Sequence, residues 1–151
     1  MIDIPVTELI PQQDRMMFLD HIIAFEEGQI KAYVEVKANG LFDDGQTIPA
    51  WIGIEYMAQT VAAHSGMLSY LAQEPLKPGL LLGARKFHTN VAKLPIGIGL
   101  TVTVERIIED QQLAVFNGDI SGPEVQMSAQ INVYQARTLQ PNFFSSLLNH
   151  A

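Results

Sequence analysis

At 151 residues, 48% of them hydrophobic and only 17% charged, the chain is long enough to bury a core as one domain and carries little surface charge. Its formal net charge of -7 speaks against nucleic acid or an anionic membrane surface as partner, because nothing neutralises a run of phosphates. With no cysteine, disulfides, thiol nucleophiles and thiolate metal sites are excluded.

The N-terminus "MIDIPVTELI" has no basic region followed by a long apolar core, so it does not read as a secretory signal, and a cytoplasmic protein is expected. Residues 28–38, "GQIKAYVEVKA", alternate: Ile30, Ala32, Val34 and Val36 share one face, with Lys31, Tyr33, Glu35 and Lys37 on the other. That is the period of a half-buried strand. Asp43 and Asp44 in "LFDDGQT" read either as a carboxylate pair near a helix start or as an exposed turn.

Pro49 opens a helix that the pattern carries to about Gln73, with Thr47 as a candidate cap, and "EPLKPG" at 74–79 ends it. The stretch "TIPAWIGIEYMAQTVAAHSG" (47–66) reads as the most buried part of the chain, yet Glu55 sits in its middle among Ile52, Ile54, Met57, Ala58, Val61 and Ala62. An unpaired carboxylate taken out of water costs roughly several kcal/mol, or is held protonated. Two readings follow. Glu55 is an acid–base residue, or it is a structural carboxylate paired with Arg85 or with backbone donors. Gln59, one turn on, either orients Glu55 or is a plain structural amide. His64 lies nine residues past Glu55, about half a turn around the helix, and reads as a core or interface histidine. Trp51 reads as core or dimer packing, with the lining of an acyl tunnel as the other option. The helix also carries Glu55, Gln59 and His64, so no window approaches the roughly 18 apolar residues of a membrane span.

Beyond the helix, residues 79–88, 98–110, 112–121 and 123–136 read as strands, the last three joined by turn signals at "EDQQ" and "SGP". In the last strand Val125, Met127, Ala129, Ile131 and Val133 alternate with Gln126, Ser128, Gln130 and Asn132, one dry face and one wetter one. The long apolar helix is the element able to cover that dry face. The expected architecture is α+β, a curved antiparallel sheet wrapped around one central helix, in a single domain over 1–151. Residues 141–151, "PNFFSSLLNHA", read as a short terminal helix.

This order, together with "LIPQQDRMMFLDHI" (9–22), "PAWIGIEYMAQ" (49–59) and the "LLGAR" strand at 81–85, resembles the hotdog-fold 3-hydroxyacyl-carrier-protein dehydratases, and most of all the dehydratase-like proteins of aryl-polyene pigment clusters. The resemblance implies that Glu55 is the catalytic acid, that Ala50 occupies the glycine position whose backbone N–H polarises the thioester carbonyl, and that Pro49 is the helix-opening proline. Gln59, and Trp51 beside Ala50, would complete the substrate site. The chain departs from the family where its histidine belongs: fourteen residues before Glu55 stands Leu41, followed by a matching Phe42, and Gln12 and His21 replace the His and Arg of the opening stretch. A 3-hydroxyacyl thioester dehydratase lacking its own base is therefore expected. The alternatives are a thioesterase that needs only Glu55 and a silent acyl-binding subunit.

The expected partners are an acyl thioester on a carrier protein or coenzyme A, and a second hotdog subunit. That subunit is a copy of this chain in a homodimer or higher oligomer, or a histidine-bearing chain in a heterodimer. No cluster has metal-ligand spacing and no glycine loop suits a nucleotide, so no metal and no cofactor is expected.

Overall fold

The structure is a computed structural model that describes residues 2–10, 17–38, 40, 42–77 and 79–135. Gln12, Leu41 and the terminal segment at 141–151 lie outside the described residues.

Among the described residues there are eight strands and one long helix: β1 (His21–Glu26), β2 (Gln29–Glu35), β3 (Thr47–Pro49), α1 (Ile52–Leu71), β4 (Gly79–Thr89), β5 (Lys93–Pro95), β6 (Gly99–Asp110), β7 (Leu113–Gly122) and β8 (Val125–Gln135), preceded by a 3-10 turn at Val6–Glu8. Six strands form an antiparallel sheet in the order β1-β2-β6-β7-β8-β4, and β3 pairs with β5 beside it. The predicted alternation holds in β2 and β8. Ile30, Ala32 and Val34, and Val125, Met127, Ala129, Ile131 and Val133, are all buried. Against them α1 packs Ile52, Tyr56, Met57, Val61, Ala63 and Met67. Each buried Val, Ile or Met among them stabilises the fold by about 1.5–3 kcal/mol.

Helix and sheet approach closely because glycines sit at the contacts. A Cβ on Gly53 would lie 2.7 Å from the Met127 sulfur, and one on Gly118 the same distance from the Met57 sulfur. The two-residue turn between β1 and β2 uses Gly28 at φ +93, in the left-handed region that costs glycine nothing.

The helix start differs from the sequence expectation. Pro49 belongs to β3, where Ile48 faces Leu94 and both are buried. Thr47 donates to Asp44 instead of capping the helix. The chain thus enters α1 directly from a strand, and the first turn is closed by Gly53 N–H to Ala50 O and Ile54 N–H to Trp51 O, each 3.0 Å. At the other end Gln73 adopts φ +57, while the N–H groups of Gln73 and Glu74 return to the carbonyls of Tyr70 and Ser69. This is the paired closure of a helix stop, made here without glycine.

One stripe of α1 stays uncovered. Trp51, Leu68 and Leu71 are exposed, and Ile54, Glu55, Ala58, Ala62 and Ser65 are only half-buried. Their spacing of three and four residues places all but Leu71 on one helix face. Within the described residues, then, the sheet covers one side of the helix and leaves this stripe bare.

Candidate functional site

Glu55 sits one turn into α1 on the uncovered stripe. It is partly exposed, which corrects the expectation of a carboxylate in the most buried part of the chain. It also forms no ion pair with Arg85, so the structural pairing is absent. Burial no longer accounts for Glu55; its place beside the positive end of the helix does.

Ala50 is buried, but its N–H donates to Ala92 O at 3.0 Å and is not available to a ligand. That corrects the role implied for it, because the β3–β5 pairing continues one residue past Pro49 and absorbs this donor. The N–H groups of Trp51 and Ile52 have no acceptor among the described residues, and they are the orphan donors of the helix start.

Trp51 is 47% exposed and meets Phe42 edge to face, ring centroids 5.1 Å apart, so it is not core. Gln59 is buried, and its Oε1 accepts the Phe18 N–H at 3.0 Å. That bond ties Phe18 to the helix. Asp43 and Asp44 form the turn. Asp44 accepts the N–H groups of Gln46 and Thr47, which hold its carboxyl well below the usual carboxylate range, and Lys93 lies 3.5 Å away.

The histidines within the described residues do not reach Glu55. His21 stacks on Tyr33 at 5.0 Å, and the buried Ile22 beside it places both rings on the face of the sheet away from α1. His88 stands opposite Ser128, which alternates with the buried Met127 and Ala129, so His88 is on that same outer face. His64 is fully buried between Phe25 and Phe116, and its Nε2 accepts the Gly28 N–H at 2.8 Å, as expected of a core histidine.

That hydrogen bond leaves the proton of neutral His64 on Nδ1, which is buried without a partner. Burial first, and Arg106 second, against an opposing pull from Glu109, lower its pKa from 6.5 to about 4. The unfolded chain takes up a proton near pH 6.5, and the folded chain resists until about pH 4. The stabilisation is therefore complete above pH 6.5 and is lost as the pH falls between those values, by about 3 kcal/mol in all. Denaturant melts from pH 7 to 5 should show wild type losing about 2 kcal/mol, with a distinctly shallower slope in His64→Gln. Equal slopes would remove His64 as the cause.

Among the described residues no group of His, Cys, Asp and Glu could hold a metal ion, and no helix is long and apolar enough to cross a membrane. What the site offers is one half-buried carboxylate and two backbone donors without an acceptor at a helix start, with Trp51 exposed and Ile52 buried, and no described histidine beside them. The arrangement can donate a proton and stabilise an oxyanion. The two free N–H groups were legible only once the β3–β5 pairing was known.

Residues 4–144 match the family described as ApeP-like, ApeP dehydratase. No curated protein matches the sequence significantly. Among solved structures, the dehydratase heterocomplex ApeI:P from Xenorhabdus doucetiae is similar at a TM-score of 0.85 and 25% identity, covering 97% of this chain and 98% of that one. More distant are a hypothetical thioesterase with coenzyme A from Streptococcus pneumoniae (TM-score 0.59, 14% identity, 77% and 84% covered) and the PaaI protein of the Escherichia coli phenylacetic acid degradation operon (0.59, 14%, 76% and 81%). These two share the hotdog fold and carry no further argument.

Proposed function

The chain belongs to the ApeP-like family of dehydratases, and from that premise we propose that it supplies the acid half of a 3-hydroxyacyl thioester dehydratase site that a second hotdog subunit completes. The observation that carries this reading is Glu55, without a partner among the described residues, on the uncovered stripe of α1 and one turn past the N–H groups of Trp51 and Ile52 that lack an acceptor, while no described histidine lies beside it. In the reaction a base removes the C2 proton, the N–H groups stabilise the enolate-like oxygen, and Glu55 protonates the departing hydroxyl, so that water leaves and the thioester stays intact. The base comes from the second subunit, a histidine-bearing hotdog chain. A dehydratase heterocomplex is what the Xenorhabdus structure is named for, which supports a heteromeric partner here.

The surface for such a partner is the edge strand β4. Its first half exposes Leu80, Leu81 and Leu82 with a backbone edge unpaired among the described residues, and an edge of that kind invites strand pairing. In this reading the chain is one hotdog domain, acts in the cytoplasm, and receives its acyl group from a carrier protein or coenzyme A. Light scattering at micromolar concentration should give the mass of two or more chains, and Leu81→Lys with Leu82→Lys should lower it toward one. A wild-type monomer that also ignores a histidine-bearing partner would count against the proposal.

The test of function is an assay of 3-hydroxyacyl thioester with this chain alone, the partner alone, and both. Dehydration that requires both chains is the expected result. Thiol release by this chain alone would mean a thioesterase, and no turnover in any mixture would mean a silent acyl-binding subunit.

A further inference from the structure

Apolar side chains left in the open gather at one end of the molecule. Among the described residues, Leu68 and Leu71 stand on the last turns of α1, Leu80 at the start of β4, and Ile108 and Leu113 on the β6–β7 hairpin, and all are exposed. The register joins them, because Tyr134 of β8 pairs with Leu80 on one side and with Leu113 on the other. Scattered exposed leucines need no explanation, whereas a group of them marks a surface that something covers.

Between the helix end and the hairpin lies a cavity of about 270 Å³ that Leu68, Ala72, Leu113 and Ala114 line with apolar surface. It continues the uncovered stripe of α1, since Ser65 and Leu68 belong to both. Its cations are matched by anions, Lys77 by Glu74 and Arg106 by Glu109, so the rim draws neither sign of charge. Small-molecule sites run from roughly 300 to 1,000 Å³. The space suits a few side chains better than a free ligand.

The chain itself delivers an occupant. β8 stops at Gln135, next to Tyr134, whose hydroxyl donates to Gln112 on the cavity rim. Paired strands lie about 4.8 Å apart, so the chain leaves the sheet about one strand spacing from Leu113. Residues 136–151 follow, outside the described residues. Their sequence sets Phe143, Phe144, Leu147 and Leu148 at spacings of one and four, a single apolar face at the helical period, and from Thr138 to Asn149 it holds no charged side chain. A neutral segment with one apolar face matches an apolar cavity whose rim charges cancel. Residues 136–141 reach up to about 20 Å when extended, ample for the distance. The family match runs on to residue 144, past the last described strand, so this stretch belongs to the domain.

We infer that residues 142–149 fold back on the cavity of their own chain and press the face of Phe143, Phe144, Leu147 and Leu148 against Leu68, Ala72 and Leu113. The fold-back covers the end of the stripe remote from Glu55, about 20 Å along the helix. It is independent of the thioester function, and it leaves the β4 edge and the Glu55 end to the second subunit.

The chain has no cysteine, so one placed in the cavity reports on it alone. Ala72→Cys is the reporter, because Ala72 lines the cavity and is exposed among the described residues. In the full-length chain a maleimide should label it at least about tenfold faster once Phe144→Asp and Leu148→Asp are added, as loss of cover requires. Equal rates in proteins that melt alike overturn the inference, and so does labelling that ignores the aspartates but speeds up on dilution, which would put a partner on the cavity. Cross-linking tests the same contact without the aspartates. Under mild oxidation Ala72→Cys, paired in turn with Phe143→Cys, Phe144→Cys, Leu147→Cys and Leu148→Cys, should form a disulfide within one chain in at least one pair, since the bond needs Cα atoms within about 7 Å. Ser121→Cys, toward the far end of β7, should form none with the same four. No such disulfide in any pair, one formed as readily by Ser121→Cys, or one found only between chains overturns the fold-back.

Discussion

Glu55→Gln should lower dehydration turnover by about 10²–10⁴-fold, the usual contribution of a positioned acid–base group, while the protein melts close to wild type. The stability half follows from the site. Glu55 is only half-buried and has no ion-pair partner, so the isosteric amide strands no charge and leaves no cavity. Substitutions of that kind stay within about 0.5 kcal/mol. The turnover half follows from chemistry, because an amide cannot protonate a leaving hydroxyl. The measurement pairs thermal melts with turnover on the same preparations of the assembled enzyme. Retained turnover would remove Glu55 from the reaction, and a badly destabilised variant would reinstate a structural role.

Gly66→Ala should destabilise the fold by at least about 3 kcal/mol, although alanine is the better helix former by about 1 kcal/mol. The opposing term is steric. A Cβ on Gly66 would lie 2.0 Å from the carbonyl oxygen of Leu9, 2.7 Å from its carbonyl carbon and 2.8 Å from its Cα. Those are backbone atoms that cannot rotate aside. The segment carrying Leu9 and Ile10, both 1% exposed, must lift off the helix, and each of those side chains is worth about 1.5–3 kcal/mol when buried. The same substitution at Gly53 or Gly118 meets methionine sulfurs, which can move, and should cost less. Chemical denaturation of Gly66→Ala checks the ranking; a variant more stable than wild type would mean that Leu9 does not pack on Gly66.

The strands were legible where one face is dry and the other wet. Alternation in β2 and β8 follows from the two-residue period of the pleat, which the sequence carries locally. β1, β3 and β5 escaped notice. β3 and β5 have three residues each, too few to display a period, and exist because Ile48 and Leu94 bury each other. In β1 only Ile22 is fully buried and the ladder is irregular between Ile22 and Ala24, so its alternation is faint.

The sequence by itself determined that a long helix carries a glutamate one turn from its start and that antiparallel strands follow it. These are properties of residue type and spacing. Only the tertiary structure decided that Glu55 faces an open stripe, that the Ala50 N–H is spent on Ala92, that Gln59 serves Phe18 from 41 residues away, and that His64 holds the turn at Gly28. The physical reason is common to all four. Burial and hydrogen-bond partnership depend on which distant segments cover a given face, and a local period of two or 3.6 residues says which side chains share a face but not what, if anything, lies against it.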